Sequence, residues 1–159
     1  MAKEIERKFL IDCIPPSITE EYQPLDICQG YITDDPAGQQ VRIRSKGDKY
    51  FLTVKGKGDL EREEVEIELS EKQFSTLWPL TEGKRLQKQR YEIAYQEYTI
   101  ELDIFEGRLT GLKMAEIEFT SAQESSELRL PDWFGKELTY DHRYTNSQLA
   151  HVGKIPEVS

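Results

Sequence analysis

Alternation with a period of two runs through most of this chain, and one side of nearly every alternating segment is charged. Successive side chains of a strand point to opposite faces. Glu4-Ile-Glu-Arg-Lys-Phe therefore separates into a charged face and a largely apolar one. Eight segments have strand character: Lys3–Ile11, Cys28–Thr33, Gln40–Lys46, Tyr50–Lys57, Glu61–Leu69, Lys84–Tyr95, Tyr98–Phe105 and Leu112–Thr120. Short turn signals such as Lys46-Gly-Asp, Gly56-Lys-Gly-Asp and Glu106-Gly-Arg join several of them. Connections that short make antiparallel neighbours, because a parallel crossover needs about a dozen residues. Two other stretches have helical spacing. Ser70 is placed to cap a helix over Glu71–Leu80, with Phe74, Leu77 and Trp78 on one side. Pro131–Leu138 carries Trp133, Phe134 and Leu138 in the same manner, and a weaker third helix falls near Ser17–Tyr22.

Length and charge narrow the function classes. The chain has 159 residues, of which 37% are hydrophobic, and no apolar run is long enough to span a bilayer. One domain over residues 1–151 is expected, followed by a tail at 152–159, with no linker or repeat to divide it. A net charge of −9 leaves no broad basic face for duplex nucleic acid or for an anionic membrane. The opening residues lack the apolar centre of a secretory signal. Cys13 and Cys28 form no CxxC pair, so a cytoplasmic protein with free thiols is the expectation.

The charged faces carry the chemistry. A solvated sheet face would mix Thr, Ser, Gln and Lys. Here the signs are segregated by strand. Carboxylates dominate on the first (Glu4, Glu6), fifth (Glu64, Glu66, Glu68), seventh (Glu101, Asp103) and eighth (Glu116, Glu118). Cations occupy the third (Arg42, Arg44), fourth (Lys55) and sixth (Lys88, Arg90), with Lys8 and Arg62 among the acidic strands. Eight antiparallel strands can close into a barrel. The charged face then becomes a lumen, and the helices cover the apolar exterior. Such a lumen is costly unless ions or a charged ligand fill it. Carboxylates at i and i+2 on neighbouring strands offer hard oxygens suited to Mg²⁺ or Mn²⁺. His142 and His151 lie outside the strand pattern, which leaves no zinc set. Arg and Lys on the facing wall match phosphate oxygens. The residues alone thus point to a divalent-metal polyphosphate site inside a barrel.

Glu4-Ile-Glu-Arg-Lys8 resembles the ExExK signature of the CYTH, or triphosphate tunnel metalloenzyme, superfamily. The similarity continues through Gln29-Gly-Tyr-Ile, Val41-Arg-Ile-Arg44, Leu52-Thr-Val-Lys-Gly56 and Arg62-Glu-Glu-Val-Glu-Ile-Glu68. It extends through Lys88-Gln-Arg-Tyr91, Leu102-Asp-Ile-Phe-Glu-Gly107, Ala115-Glu-Ile-Glu-Phe119 and Asp141-His-Arg-Tyr-Thr-Asn146. The chain looks most like the short bacterial members that act as inorganic triphosphatases.

The resemblance implies a mainly β, α+β fold: an eight-stranded antiparallel closed barrel with a charged tunnel and helices packed outside. It implies metal ligation by Glu4, Glu6, Glu116 and Glu118, with Asp103 as a further contact. It assigns the triphosphate to Lys8, Arg42, Arg44, Lys55, Lys88 and Arg90. Glu64 and Glu66 become tunnel carboxylates for a second metal or for anchoring cations, with Arg62 supporting them. Tyr31 with Lys8 would prepare the attacking water, and Lys88 would alternatively act as acid toward the leaving group. The expected reaction is metal-dependent hydrolysis of tripolyphosphate to pyrophosphate and phosphate. A class IV-type adenylyl cyclase, a thiamine or nucleoside triphosphatase, and a non-catalytic polyphosphate-binding module are the alternatives. Trp78, Trp133 and Phe134 are expected to pack outside the barrel. Tyr144 and Asn146 are read as mainly structural, Arg143 as a candidate for the tunnel mouth, and His142 as a surface residue.

Overall fold

The computed structural model describes residues 5–34, 39–56 and 63–157, without the side chain of Asp34. Its strands are β1 (Ile5–Leu10), β2 (Leu25–Asp34), β3 (Gln40–Lys46), β4 (Lys49–Lys55), β5 (Glu64–Leu69), β6 (Arg85–Tyr95), β7 (Tyr98–Phe105) and β8 (Lys113–Phe119). They form one antiparallel sheet in the order β1-β8-β7-β6-β2-β3-β4-β5. The hydrogen-bonded order ends at β1 and at β5. Yet Glu6 and Lys8 of β1 line the same cavity as Lys55 of β4 and Glu64 of β5. The sheet is therefore rolled into a tunnel, with the charged faces turned inward.

The apolar faces of the strands point outward, and all but that of β5, where Val65 and Ile67 are exposed, are largely covered. On one side Phe9, Ile93, Ile100, Leu102, Ile117 and Phe119 are buried beneath Ile18 of helix α1 (Pro16–Glu21) and beneath Leu128, Leu130, Trp133 and Phe134. On the other side helix α2 (Glu71–Leu77) lies over β3, β4 and β5, with Phe74 5.0 Å from the Tyr50 ring and 5.1 Å from Trp78. Ser70 caps α2 in a reciprocal capping box with Gln73. The α-helix stops at Leu77 rather than Leu80. Pro79 has no N–H to continue the ladder, and a 3₁₀ turn over Trp78–Thr81 follows.

Two parts of the chain differ from the sequence reading. Pro131–Leu138 is not a helix. Its backbone runs along the open edge of β1: Leu10 N–H donates to Lys136 O at 2.8 Å, Gly135 N–H to Leu10 O at 2.8 Å, and Leu138 N–H to Lys8 O at 2.7 Å. An unpaired strand edge needs partners, and that demand outweighs the spacing of the aromatics. Trp133 and Phe134 still pack outside the barrel, where Phe9 meets Phe134 at 4.8 Å. The second difference is a pair of short helices absent from the reading. Helix α3 (Ala122–Glu127) is capped by Ser121, and α4 (Asn146–Val152) is capped by Thr145 and closed by Gly153 at φ 67. Val152 thus ends a helix, and Arg143 donates to Glu157 O at 3.0 Å beyond it.

Helix α4 closes one end of the tunnel. There the inward faces lose their charge: Leu10, Met114, Phe105 and Leu86 lie two residues beyond Lys8, Glu116, Asp103 and Lys88, and Tyr31 follows Gln29 on β2. These side chains pack with Leu138, Tyr144, Leu149 and Ala150.

Candidate active site

Strand register brings the charged residues together. Glu6 lies opposite Glu118, Lys8 opposite Glu116, and Glu116 opposite Glu101 on its other side. Across the roll, Tyr31 faces Arg42 and Gln29 faces Arg44. Gln40 pairs with Lys55, and Lys55 with Glu64. Together they line a cavity of about 610 Å³ that reaches Thr145, Asn146 and Ser147 at the start of α4. One wall is acidic and the other basic.

Both walls carry uncompensated charge. Desolvation within the tunnel, followed by the Glu116 and Glu118 carboxylates, pushes Glu6 up to about 7. Burial raises Glu101 as well, although Arg90 opposes the shift. On the basic wall, burial and then the neighbouring Arg42 and Arg90 lower Arg44. Among the described residues, the Nε atoms of Arg42 and Arg44 are buried with no hydrogen-bond partner. A buried donor without a partner costs free energy, on the order of 1–3 kcal/mol and more for a charged group.

Beneath this surface lies a satisfied ion network. Asp103, 5% exposed, accepts from Arg90 Nε at 2.7 Å and NH2 at 2.9 Å, and from Lys88 Nζ at 2.8 Å. Arg90 NH1 also reaches Glu101 at 2.9 Å. Lys88, 1% exposed, donates in addition to Asn146 Oδ1 at 3.2 Å. Burial lowers Lys88. Burial alone would raise Asp103, but Lys88 and Arg90 outweigh it and hold the carboxyl below its ordinary value.

Of the residues expected from sequence, Glu6, Lys8, Tyr31, Arg42, Arg44, Lys55, Glu64, Arg90, Glu116 and Glu118 line the one cavity. Glu4 and Arg62 lie outside the described residues. Asp103 and Lys88 sit behind the cavity wall, their polar atoms taken by each other, Arg90 and Asn146. Glu66 is on exposed β5, 3.9 Å from Arg44. Lys8 Nζ donates to Tyr144 O at 3.0 Å and stands 3.3 Å from Glu116. Arg143 pairs with Asp141 at 2.7 Å and lies away from this cavity. Gln29 and the Thr145–Ser147 segment line the site and were not anticipated. Gln29 was legible as the residue two before Tyr31, on the same strand face. Among the described residues, no three carboxylates converge closely enough to close a metal site by themselves.

A rolled antiparallel sheet with facing acidic and basic inner walls defines the class of charged-tunnel proteins. The chain belongs to the CYTH domain family, whose match spans residues 2–150. It is 41% identical over 148 residues to an inorganic triphosphatase of Nitrosomonas europaea, covering 92% of this chain and 96% of that protein. An inorganic triphosphatase of Acetivibrio thermocellus is 37% identical over 155 residues, covering 94% of each. A crystal structure of an inorganic triphosphatase, 39% identical, superposes with a TM-score of 0.77 and covers 99% of both chains.

Proposed function

We propose that this protein is a divalent-metal-dependent inorganic triphosphatase that hydrolyses tripolyphosphate to pyrophosphate and phosphate. The observation that carries the reading is the cavity itself, with Arg42 and Arg44, whose buried Nε donors have no partner among the described residues, across from the carboxylates. Relatives that carry this activity over nearly their whole length support it.

The acidic wall fits a cation. Glu6 is pushed up to about 7 by desolvation first and then by crowding from Glu116 and Glu118, and a hard divalent ion relieves that repulsion with the oxygen ligands it prefers. Glu6, Glu116 and Glu118 would hold Mg²⁺ or Mn²⁺, joined by Glu4, which the sequence alternation assigns to the same face. Bound there, the ion would polarise phosphoryl oxygens and offset their charge.

The protein's own groups do the rest. Arg42, Arg44, Lys8 and Lys55 hold the three phosphates in line, and Arg90 adds its remaining N–H groups from the cavity wall. Tyr31, beside Arg42, accepts a proton from the water that attacks the terminal phosphorus. The bond to the bridging oxygen breaks, and pyrophosphate leaves with that electron pair. Asp103 and Lys88 act as positioning groups in this reading: the Asp103 carboxylate fixes Arg90, and Lys88 holds Asp103 from its other side.

The test is phosphate release from tripolyphosphate, ATP and thiamine triphosphate, each with Mg²⁺, Mn²⁺ or EDTA. Tripolyphosphate should turn over fastest, with activity lost in EDTA and in Glu116→Gln. No phosphate from any substrate would remove the hydrolase reading, and tight binding without turnover would leave a binding module.

A further inference from the structure

Three local features converge on Tyr31. The register of β2 against β3 shifts between Tyr31 and Thr33, a bulge that re-aims the strand at this point. Gly30, one residue earlier, lies so close to the 3₁₀ turn after α2 that a Cβ there would meet the Thr81 Cβ at 2.6 Å. The backbone on either side of Tyr31 is thereby fixed. On the cavity side, Gln29 Nε2 donates to the Tyr31 hydroxyl oxygen at 2.7 Å. Both side chains are 1% exposed, and both line the polyanion cavity.

A buried amide is costly unless it is hydrogen-bonded, and a leucine or methionine on this strand would pack without that requirement. The amide instead spends a donor on one phenol. We propose that Gln29 is a positioning residue that fixes the direction of the Tyr31 hydroxyl and stabilises its ionised form through the Gln29 N–H. The inference rests on the proposed triphosphatase reading and extends it by a residue with no part in substrate or metal binding.

The chemistry follows from hydrogen-bond roles. A phenol has one donor and two acceptor sites. With Gln29 occupying an acceptor site, the O–H is turned elsewhere. When the proton leaves, the same N–H becomes a charge-assisted bond to phenolate and strengthens. A donor to the charged form favours that form. An ordinary tyrosine ionises near pH 10, so such help matters for proton transfer near neutrality. The cavity it lines holds the cations Arg42, opposite in register on β3, Lys8 on β1, Lys55 on β4, Arg44 and Arg90, and the carboxylates Glu6, Glu64, Glu101, Glu116 and Glu118, which oppose ionisation; the His151 ring on α4 is 6.2 Å from that of Tyr31. Arg42, Lys8 and Lys55 favour phenolate as well, so Gln29 adds to their field.

The test uses the full chain with Gln29→Met, Gln29→Glu, Tyr31→Phe, Gln29→Met/Tyr31→Phe and Gln29→Glu/Tyr31→Phe. Tyrosinate absorbance is titrated without substrate. Subtracting each Tyr31→Phe curve from that of its parent isolates Tyr31 from the other tyrosines. The Tyr31 ionisation should move up by about one pH unit in Gln29→Met, a tenfold loss of phenolate at a given pH. Gln29→Glu, whose carboxylate accepts from the phenol instead, should move it further. For tripolyphosphate turnover, Gln29→Met should lower kcat about tenfold and shift the rising limb of its pH profile in the same direction. KM should stay within about twofold, and the kcat loss should vanish in the Tyr31→Phe background. An unshifted Tyr31 titration in Gln29→Glu and Gln29→Met would overturn the inference, as would an equal kcat loss with and without Tyr31. A protein that never hydrolyses tripolyphosphate would overturn the functional reading instead, while the substrate-free titration still decides the role of Gln29.

Discussion

Glu6 shows how a single carboxyl makes the tunnel sensitive to pH. In the folded protein it is raised from 4.5 to about 7, by desolvation first and then by Glu116 and Glu118. Between those two values the folded state binds more protons at this site than the unfolded chain does. Stability contributed by the site therefore falls as pH rises through that window. A bound divalent ion reverses the sign, because it favours the ionised carboxylates. In EDTA, the melting temperature of the wild-type protein should drop between about pH 4.5 and 7 more than that of Glu6→Gln. Added Mg²⁺ should raise the wild type at pH 8 and leave Glu6→Gln much less affected. Parallel Tm profiles for the two proteins in EDTA would remove Glu6 as the source. This behaviour was partly legible in the sequence: the alternation of Glu4 and Glu6, and of Glu116 and Glu118, gives the face. Register does not follow from alternation. That Glu6 meets Glu118 while Lys8 meets Glu116 depends on hairpin and edge geometry. The pairing of Asp103 with Lys88 and Arg90 was equally hidden, so the sequence offered Asp103 as a metal ligand when its oxygens serve buried cations.

At the scale of elements, the strands and the helices α1 and α2 were readable, and the helices α3 and α4 were not. A period of two repeats over six or more residues in β6, β7 and β8, and few other conformations satisfy it. The helices α3 and α4 have six and seven residues and too few apolar positions for a 3.6-residue period to register. Their caps, Ser121 and Thr145, were the available signals. Pro131–Leu138 misled because three aromatic or aliphatic residues at helical spacing also suit an extended segment whose side chains divide between two clusters. Trp133 and Phe134 go to the outer one and Leu138 to the tunnel's closed end. The contact between β2 and the turn after α2 gives a sharper test. Thr81 is fully buried, donates to Trp78 O at 2.7 Å and accepts from Arg85 Nε at 2.8 Å, so it cannot retreat easily from Gly30. Gly30→Ala would place a methyl group 2.6 Å from the Thr81 Cβ. Overpacking of this kind costs about 1–3 kcal/mol. Urea unfolding should show a lower midpoint with an unchanged slope. Because Gln29 and Tyr31 flank the site, kcat should fall with it. An unchanged midpoint would mean that the 3₁₀ turn is free to move.

Across the whole molecule, the inward faces of the roll read as a gradient. Charged residues fill the middle, and Leu10, Leu86, Phe105 and Met114 follow at the end that α4 covers. The sequence contains that switch in every one of those strands, two residues beyond the last charge. It tells that the tunnel is closed at one end, which the strand alternation alone does not. The closed, charged cavity is held open against its own repulsion by the packed exterior, and its arginines are the clearest instance. Arg44 is lowered by burial and by Arg42 and Arg90; among the described residues its Nε has no partner, and its ion pair with Glu66 spans 3.9 Å. A polyanion bound here removes all three penalties, so the ligand should stabilise the fold strongly. At a hundredfold excess over Kd, one-site binding contributes about 2.7 kcal/mol. For a domain of this size that corresponds to a rise in Tm of about 5–10 °C. Arg44→Met keeps the aliphatic stem and removes the charge. In the free protein, with metal chelated, it should melt higher than the wild type, because the crowding among Arg42, Arg44 and Arg90 is relieved. With saturating tripolyphosphate and Mg²⁺ it should gain less than half of the wild-type shift. A free Arg44→Met protein that melts lower than the wild type would show that Arg44 contributes to the fold in the absence of ligand. The strain argued from its missing partners would then be wrong.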